Sequence, residues 1–98
     1  MNMLRASDVL KEAARIIEQR EVLYGDFSVM AFRNSAIQTI VHEEPRTAEQ
    51  WCLDMAITKL ARIYTSPTHD DNVYDAIGYL AQYLVIVQSD DDFNGKAE

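Results

Sequence analysis

The chain has 98 residues, which is enough for one domain of ordinary size and too few for two. Apolar residues make up 48% of it and charged residues 26%, a globular composition that excludes collagen-like and low-complexity chains. Sixteen acidic residues against nine basic ones give a formal net charge of −7. This charge repels nucleic-acid phosphate and argues against a general role in DNA or RNA binding.

Four α-helices and no strand are predicted along the chain. Ser7 is a suitable N-cap for a first helix that runs to about Glu21, where apolar residues recur at helical spacing. Gly25 is suited to a left-handed turn, and Asp26 can then cap a second helix over about 27–41. The first two helices are therefore expected to meet at a tight turn.

The second half of the chain holds the other two predicted helices. Thr47, followed three residues later by a glutamine, matches a capping box and opens a third helix over about 48–64. Thr68 or Asp70 caps a fourth helix over about 71–89. Because the loop between them is short, the third and fourth helices should pack antiparallel.

Apolar residues at helical spacing indicate which faces are buried. The expected core positions are Phe27, Met30, Ile37 and Val41 in the second helix, Trp51, Leu53, Ala56, Leu60 and Ile63 or Tyr64 in the third, and Val73, Ile77, Leu80, Leu84 and Val87 in the fourth. The fourth helix carries further apolar residues outside that stripe, namely Tyr74, Tyr79, Tyr83, Val85 and Ile86. These residues are either covered by the other helices or meet another chain. Because one stripe is enough for a monomer and four short helices can scarcely cover the surplus, it favours a homo-oligomer.

The chain ends and the cysteine content indicate a compartment. The first residues, MNMLRASD, lack the apolar stretch of a signal peptide, and the longest nearly apolar window, 76–87, is too short to span a bilayer. The single Cys52 lies within apolar helical sequence, as is usual in a reducing environment. We therefore expect a cytoplasmic protein with no membrane contact, an ordered core over about 7–88, and a solvated acidic tail over 89–98.

Charged residues inside apolar helical sequence are the candidates for a site. Lys59 and Arg62 share one face of the third helix, and Asp71 and Asp75 share one face of the fourth. Two carboxylates so placed repel each other unless a cation lies between them. That cation could be Mg²⁺, which prefers oxygen ligands, or it could be Lys59 or Arg62. In the second case the four charges form an interhelical salt-bridge network without a ligand.

Three segments, taken in order, carry a family resemblance. REVLYGD at 20–26, MAITKLARI at 55–63 and HDDNVYDAIGYLA at 69–81 resemble a family of small, largely phage-encoded helical domains related to the MazG-like all-α nucleoside triphosphate pyrophosphatases. The resemblance extends from about Val9 to Val87. It implies a four-helix unit, assembly into dimers or tetramers, and Mg²⁺ held by an E-x-x-E pair and an E-x-x-D pair. An activated water then releases pyrophosphate from the bound triphosphate.

The resemblance also assigns roles to individual residues. Asn72 and Asp75 stand at the E-x-x-D pair, with Asp71 as a neighbouring carboxylate. The preceding helix departs from the pattern, because Lys59 and Arg62 stand where an acidic pair is expected. The implied roles are catalysis for Asp71 and Asp75, Mg²⁺ binding for those two with Glu18 and Glu21, phosphate binding for Lys59 and Arg62, and nucleotide contact for Tyr24, Asn72 and Tyr79.

The departure at Lys59 and Arg62 leaves three functions open. Two cations in place of two carboxylates weaken the binding of a divalent metal and strengthen the binding of phosphate. The chain could therefore be a Mg²⁺-dependent nucleoside triphosphate pyrophosphatase with a rearranged site. It could instead be a non-catalytic phage protein that binds and sequesters a nucleotide signal, or a structural or partner-binding module that keeps only the fold.

Overall fold

The computed structural model describes residues 5–93, which form four α-helices. These are α1 (Ala6–Tyr24), α2 (Phe27–His42), α3 (Ala48–Thr65) and α4 (Asp70–Phe93). Residues 5–93 contain no strand, so the prediction of an all-α, four-helix chain is confirmed. No helix within this range is both long and apolar enough to cross a membrane.

Two of the predicted helix caps are present with good geometry. The Asp26 carboxylate accepts a hydrogen bond from the Ser28 backbone N–H at 2.9 Å, which starts α2. At α3 the Thr47 hydroxyl accepts from the Gln50 N–H at 3.2 Å, and the Gln50 side chain accepts from the Thr47 N–H at 2.8 Å. These bonds satisfy backbone donors that have no partner within the helix.

The start of α1 differs from the prediction. Arg5, not Ser7, occupies the N-cap position, and Ser7 lies inside the first turn. The Asp8 carboxylate accepts a hydrogen bond from the Arg5 backbone N–H at 3.2 Å. The side chain that hydrogen-bonds at the start of α1 is therefore the Asp8 carboxylate, and not the Ser7 hydroxyl that the sequence predicts.

Both ends of α4 also differ. The helix begins at Asp70, so His69 rather than Thr68 or Asp70 flanks its first residue, and the His69 carbonyl accepts from the Asn72 N–H at 3.1 Å. At the other end α4 continues to Phe93. Residues 89–93 of the predicted tail are thus helical, and residues 94–98 of that tail lie outside the described range.

The helices pack around α3 and α4. These two are joined by only four residues, 66–69, and share the most extensive interface in the chain, which makes them antiparallel neighbours. On the outside, α2 packs mainly on α3 and α1 mainly on α4. This arrangement brings the turn between α1 and α2 close to the middle of α4.

The core is small and rich in alanine. Its buried apolar residues are Ala13, Ala31, Ala48, Trp51, Cys52, Ala56, Ala76 and Ile86. Against Trp51 lies an aromatic cluster in which the ring centroids of Phe27, Trp51 and Tyr79 are 5.6–6.0 Å apart. Such tilted and edge-on pairs are the favourable geometry for aromatic rings.

The buried face of α4 is not the stripe that the sequence predicts. The side chains of Val73, Leu80 and Leu84 are 38%, 46% and 53% exposed, whereas Ile86 is 3% exposed and Tyr79 packs against the core. The inward face is therefore shifted by one residue, about 100° around the helix axis. Four further expected core residues are also exposed by half or more of their surface: Ile37, Val41, Leu60 and Tyr64.

Candidate functional site

An open pocket of about 110 Å³ lies between the end of α1, the turn into α2 and the middle of α4. Its floor is the apolar surface around Phe27, and its polar side chains come from both sides. Those that the chemistry depends on are Arg20, Glu21 and Tyr24 from α1, Asp26 from the turn, and Asp75, Tyr79 and Gln82 from α4. Residues far apart in sequence thus share one concave surface, the usual form of a ligand site.

A glycine turn makes the wall of this pocket. Gly25 has φ of +82°, a conformation that side-chain-bearing residues rarely adopt. Its N–H donates to the Glu21 carbonyl at 2.9 Å and closes α1, after which Asp26 caps α2. Only Gly25 and Asp26 separate the end of α1 from the start of α2. This short turn holds the last side chains of α1 at the edge of the pocket.

Asp75 is the central charge of the site. Its Oδ2 lies 3.0 Å from Lys59 Nζ, and its Oδ1 lies 3.0 Å from Arg20 Nη2. The Asp75 and Lys59 side chains are each only 14% exposed, whereas Arg20 is 54% exposed. Lys59 is thus a partly buried counter-ion behind the pocket, and Arg20 is a cation at its mouth.

One oxygen of Asp75 has unused hydrogen-bonding capacity. Oδ1 is buried, and among the described residues no donor reaches it in hydrogen-bond geometry, although Arg20 Nη2 is within ion-pair distance. A buried acceptor without a donor is costly and uncommon in folded proteins. Arg20 Nη2, 3.0 Å away, is the cation placed to satisfy this oxygen after a small rotation of the guanidinium.

Tyr79 stands beside Asp75 on the next turn of α4. Burial raises the pKa of its phenol, and the Asp75 carboxylate raises it further, while Arg20 and Arg62 lower it in part. The phenol therefore stays protonated at neutral pH and can donate a hydrogen bond. Arg62 is exposed on α3, and its positive charge lowers the pKa of the Tyr79 phenol.

The structure gathers some of the predicted site residues and separates others. Glu21, Tyr24, Asp75 and Tyr79 line the pocket, and Lys59 reaches it through its ion pair with Asp75. The four remaining candidates do not line it: Glu18, Arg62, Asp71 and Asn72. In particular Asp71 is exposed while Asp75 is largely buried, so these carboxylates, although one turn apart, lie in different surroundings.

Sequence reasoning missed three lining residues, Arg20, Asp26 and Gln82, as parts of a site. For Arg20 a signal was present, because it lies four residues before Tyr24 and such residues share a helix face. Asp26 was assigned only its capping role. Gln82 lies two helical turns after Asp75 on the same face of α4, and this spacing is the signal that the sequence offers for it.

The fit to a magnesium ion can be judged from the carboxylates. Among the side chains of residues 5–89, no three from His, Cys, Asp or Glu lie close enough together to hold a metal ion. Each Asp75 oxygen has a cation 3.0 Å away, so an ion at Asp75 would have to displace Arg20 or Lys59. Of the four predicted metal ligands, Glu21 and Asp75 line the same pocket. A preformed site built by the protein alone is therefore not evident among the described residues.

Comparison with known proteins places the chain in one family. No curated protein and no solved structure matches it significantly. Residues 8–85 match the family model described as Domain of unknown function (DUF6378), which covers α1, α2, α3 and most of α4. The chain therefore belongs to the DUF6378 family.

Proposed function

We propose that this chain is a MazG-like nucleotide-binding protein and that the pocket between α1 and α4 holds the nucleotide. The proposal depends on one observation. Two segments that carry the MazG-like resemblance, 20–26 and 69–81, contribute Glu21, Tyr24, Asp75 and Tyr79 to the same pocket. This convergence is what a shared ligand site requires, and it supports the proposal.

The pocket has groups suited to a base and a sugar. The Tyr24 side chain, 78% exposed at the pocket edge, offers a ring face on which a base can stack. The Tyr79 phenol also lines the pocket, and burial together with the Asp75 carboxylate raises its pKa. It therefore offers a hydrogen-bond donor to a ligand.

Binding without hydrolysis is the first choice. The Asp75 oxygens already face Lys59 and Arg20, which neutralise the carboxylate and compete with a divalent ion. A nucleotide signal bound in such a pocket would later be released without being hydrolysed. This is the non-catalytic, phage-encoded role that the resemblance leaves open.

Mg²⁺-dependent pyrophosphate release is the second candidate, favoured by two carboxylates in one pocket. Glu21 and Asp75 both line it, and Mg²⁺ often binds through one or two carboxylates together with substrate phosphates. If the ion entered with the nucleotide, these two residues would hold it, and it would supply charge stabilisation at the phosphates.

The test is binding and turnover measured on the same protein. Nucleoside mono- and triphosphates are titrated calorimetrically with and without Mg²⁺, and the mixtures are then assayed for pyrophosphate. Binding without products supports the first candidate, and Mg²⁺-dependent pyrophosphate supports the second. Absence of both, with no nucleotide retained in native mass spectrometry, would overturn the proposal in favour of a partner-binding module.

A pair of tyrosine variants locates the site. Tyr24→Ala removes the stacking surface and should weaken binding by about tenfold, since base stacking on an aromatic ring contributes ~1–3 kcal/mol. Tyr64→Ala is the matched control, because Tyr64 is 91% exposed on α3 and does not line the pocket. Equal effects of the two substitutions would place the nucleotide elsewhere.

We also propose that the chain assembles as a homo-oligomer, as the MazG-like resemblance implies. The support is the amount of apolar surface left uncovered. Seventeen large apolar side chains of the described residues are exposed, and on α4 they include Leu80, Leu84 and Val85, each about half exposed. A second copy packed on this face would bury it, whereas a lone monomer leaves it in water.

A further inference from the structure

Among the described residues that line the pocket, the one cation, Arg20, and the most exposed aromatic ring, Tyr24, lie on one face of α1. Arg20 and Tyr24 both line the pocket and are four residues apart, so their Cβ atoms are neighbours one helical turn apart. The Arg20 side chain is 54% exposed and Tyr24 is 78% exposed. Both groups can therefore meet a ligand at the mouth of the pocket without a change of the backbone.

The other cation near Asp75 is placed differently. Lys59 is 14% exposed, lies 3.0 Å from Asp75 Oδ2 and does not line the pocket. The ion pair of Arg20 with Asp75 joins Nη2 to Oδ1 at 3.0 Å, and a guanidinium has five N–H donors in a fork that can engage two oxygens at once. Arg20 thus has donors available for an anion while it remains paired with Asp75.

We propose that Arg20 is the phosphate-binding residue of this pocket, and that the ligand is a nucleotide whose base stacks on Tyr24 while its first phosphate meets the Arg20 guanidinium. This inference rests on the proposed function. The rise of one helical turn, about 5.4 Å, is comparable to the separation of base and phosphate across one ribose.

Lys59 then has a positioning role. By pairing with Asp75 Oδ2, it offsets the carboxylate charge that would otherwise repel a phosphate at Arg20. The sequence analysis assigned phosphate binding to Lys59 and Arg62 because these two cations stand where the MazG-like resemblance places an acidic pair. The structure places one of them behind the pocket and the other outside its lining.

The test compares a nucleoside with its own 5′-monophosphate by calorimetry, using the base that the wild type binds most tightly. The wild type should bind the monophosphate about tenfold or more tightly than the nucleoside, as expected for charge-assisted hydrogen bonds. Arg20→Met should reduce that ratio to near one and leave the nucleoside affinity almost unchanged. Tyr24→Leu should weaken both ligands by a similar factor.

Arg15→Met is the matched control, since Arg15 lies on the same helix, pairs with Glu12 at 2.7 Å and does not line the pocket. It should keep the wild-type ratio. If Arg20→Met does not fold, Arg20→Gln, which retains a donor but no charge, provides the same comparison. Circular dichroism identifies the folded variants.

The possible results distinguish the role of Arg20 from the proposal that the chain binds a nucleotide. A wild type that binds nucleotides, with the ratio unchanged in Arg20→Met, overturns the role of Arg20 and leaves nucleotide binding intact. Loss of the ratio in Lys59→Met, while Arg20→Met keeps the wild-type ratio, overturns it in the same way, because the phosphate then depends on Lys59 and not on Arg20. A wild type that binds neither ligand overturns both proposals.

Discussion

Replacing Asp75 with asparagine should destabilise the fold, because it leaves Lys59 without its counter-ion. Lys59 is 14% exposed and its ammonium lies 3.0 Å from Asp75 Oδ2. Removing one partner of a fully buried pair costs about 3–5 kcal/mol. Since this pair retains some contact with water, we expect about 2–3 kcal/mol, a decrease in melting temperature of roughly 10–20 °C for a domain of this size. Arg20, at 54% exposed, can turn towards solvent and adds little to this loss.

The assay is thermal unfolding followed by circular dichroism, with two comparisons. Asp71→Asn removes an exposed carboxylate one turn earlier on α4 and should cost less than about 1 kcal/mol. The double variant Lys59→Met/Asp75→Asn should regain much of the lost stability, because neither charge then stays buried alone. An unchanged melting temperature for Asp75→Asn would refute the ion-pair account. It would indicate instead that Asp75 is a carboxylate kept for a ligand.

Three further predictions concern the caps, the core and the assembly. Thr47→Ala removes the side-chain half of the capping box and should cost about 1 kcal/mol, or 4–8 °C in melting temperature; no change would mean that solvent satisfies the Gln50 N–H equally well. Burial raises the pKa of the Cys52 thiol to about 11, so at pH 8 it should react with a thiol reagent far more slowly than in denaturant. A rapid reaction in the native state would show that the core opens. Leu80→Lys should reduce the particle mass in light scattering at tens of micromolar, and a wild-type monomer there would contradict the homo-oligomer.

The elements that could be predicted are those with a local cause. The starts of α2 and α3 follow from Asp26 and Thr47, whose side chains accept backbone hydrogen bonds two and three residues ahead. The turn between α1 and α2 follows from Gly25, which adopts a positive φ. Each of these needs only a short window of sequence, and no partner helix.

The buried face of α4 could not be predicted, because the helix is apolar on most sides. Tyr79 and Leu80 are adjacent and both apolar, yet Tyr79 packs on Trp51 while Leu80 is 46% exposed. Which of the two side chains is buried depends on the neighbouring helices, whose buried surface consists mainly of alanines and aromatic rings. Periodicity alone does not contain that information.

The candidate site was predictable in part, for the same reason. Asp75 was found because a charge within an apolar helix stands out, and its pairing with Lys59 was one of the alternatives that the sequence left open. The pairing with Arg20 could not be found in that way, because Arg20 lies on α1 among other charges and only the docking of α1 on α4 brings it 3.0 Å from Asp75.

The pocket and the apolar surface that we propose for assembly lie on different faces of α4. The inward face carries Asp75 and Tyr79 into the pocket and packs Tyr83 and Ile86 against the core. The outward face includes Leu84, whose side chain is 53% exposed. The side chains of Asp75 and Tyr79 point away from the outward face of the helix. A second copy that covers the outward face therefore does not cover these two side chains. Any influence of assembly on the pocket must then act through the position of α4 as a whole, since the helix is the element that both surfaces share.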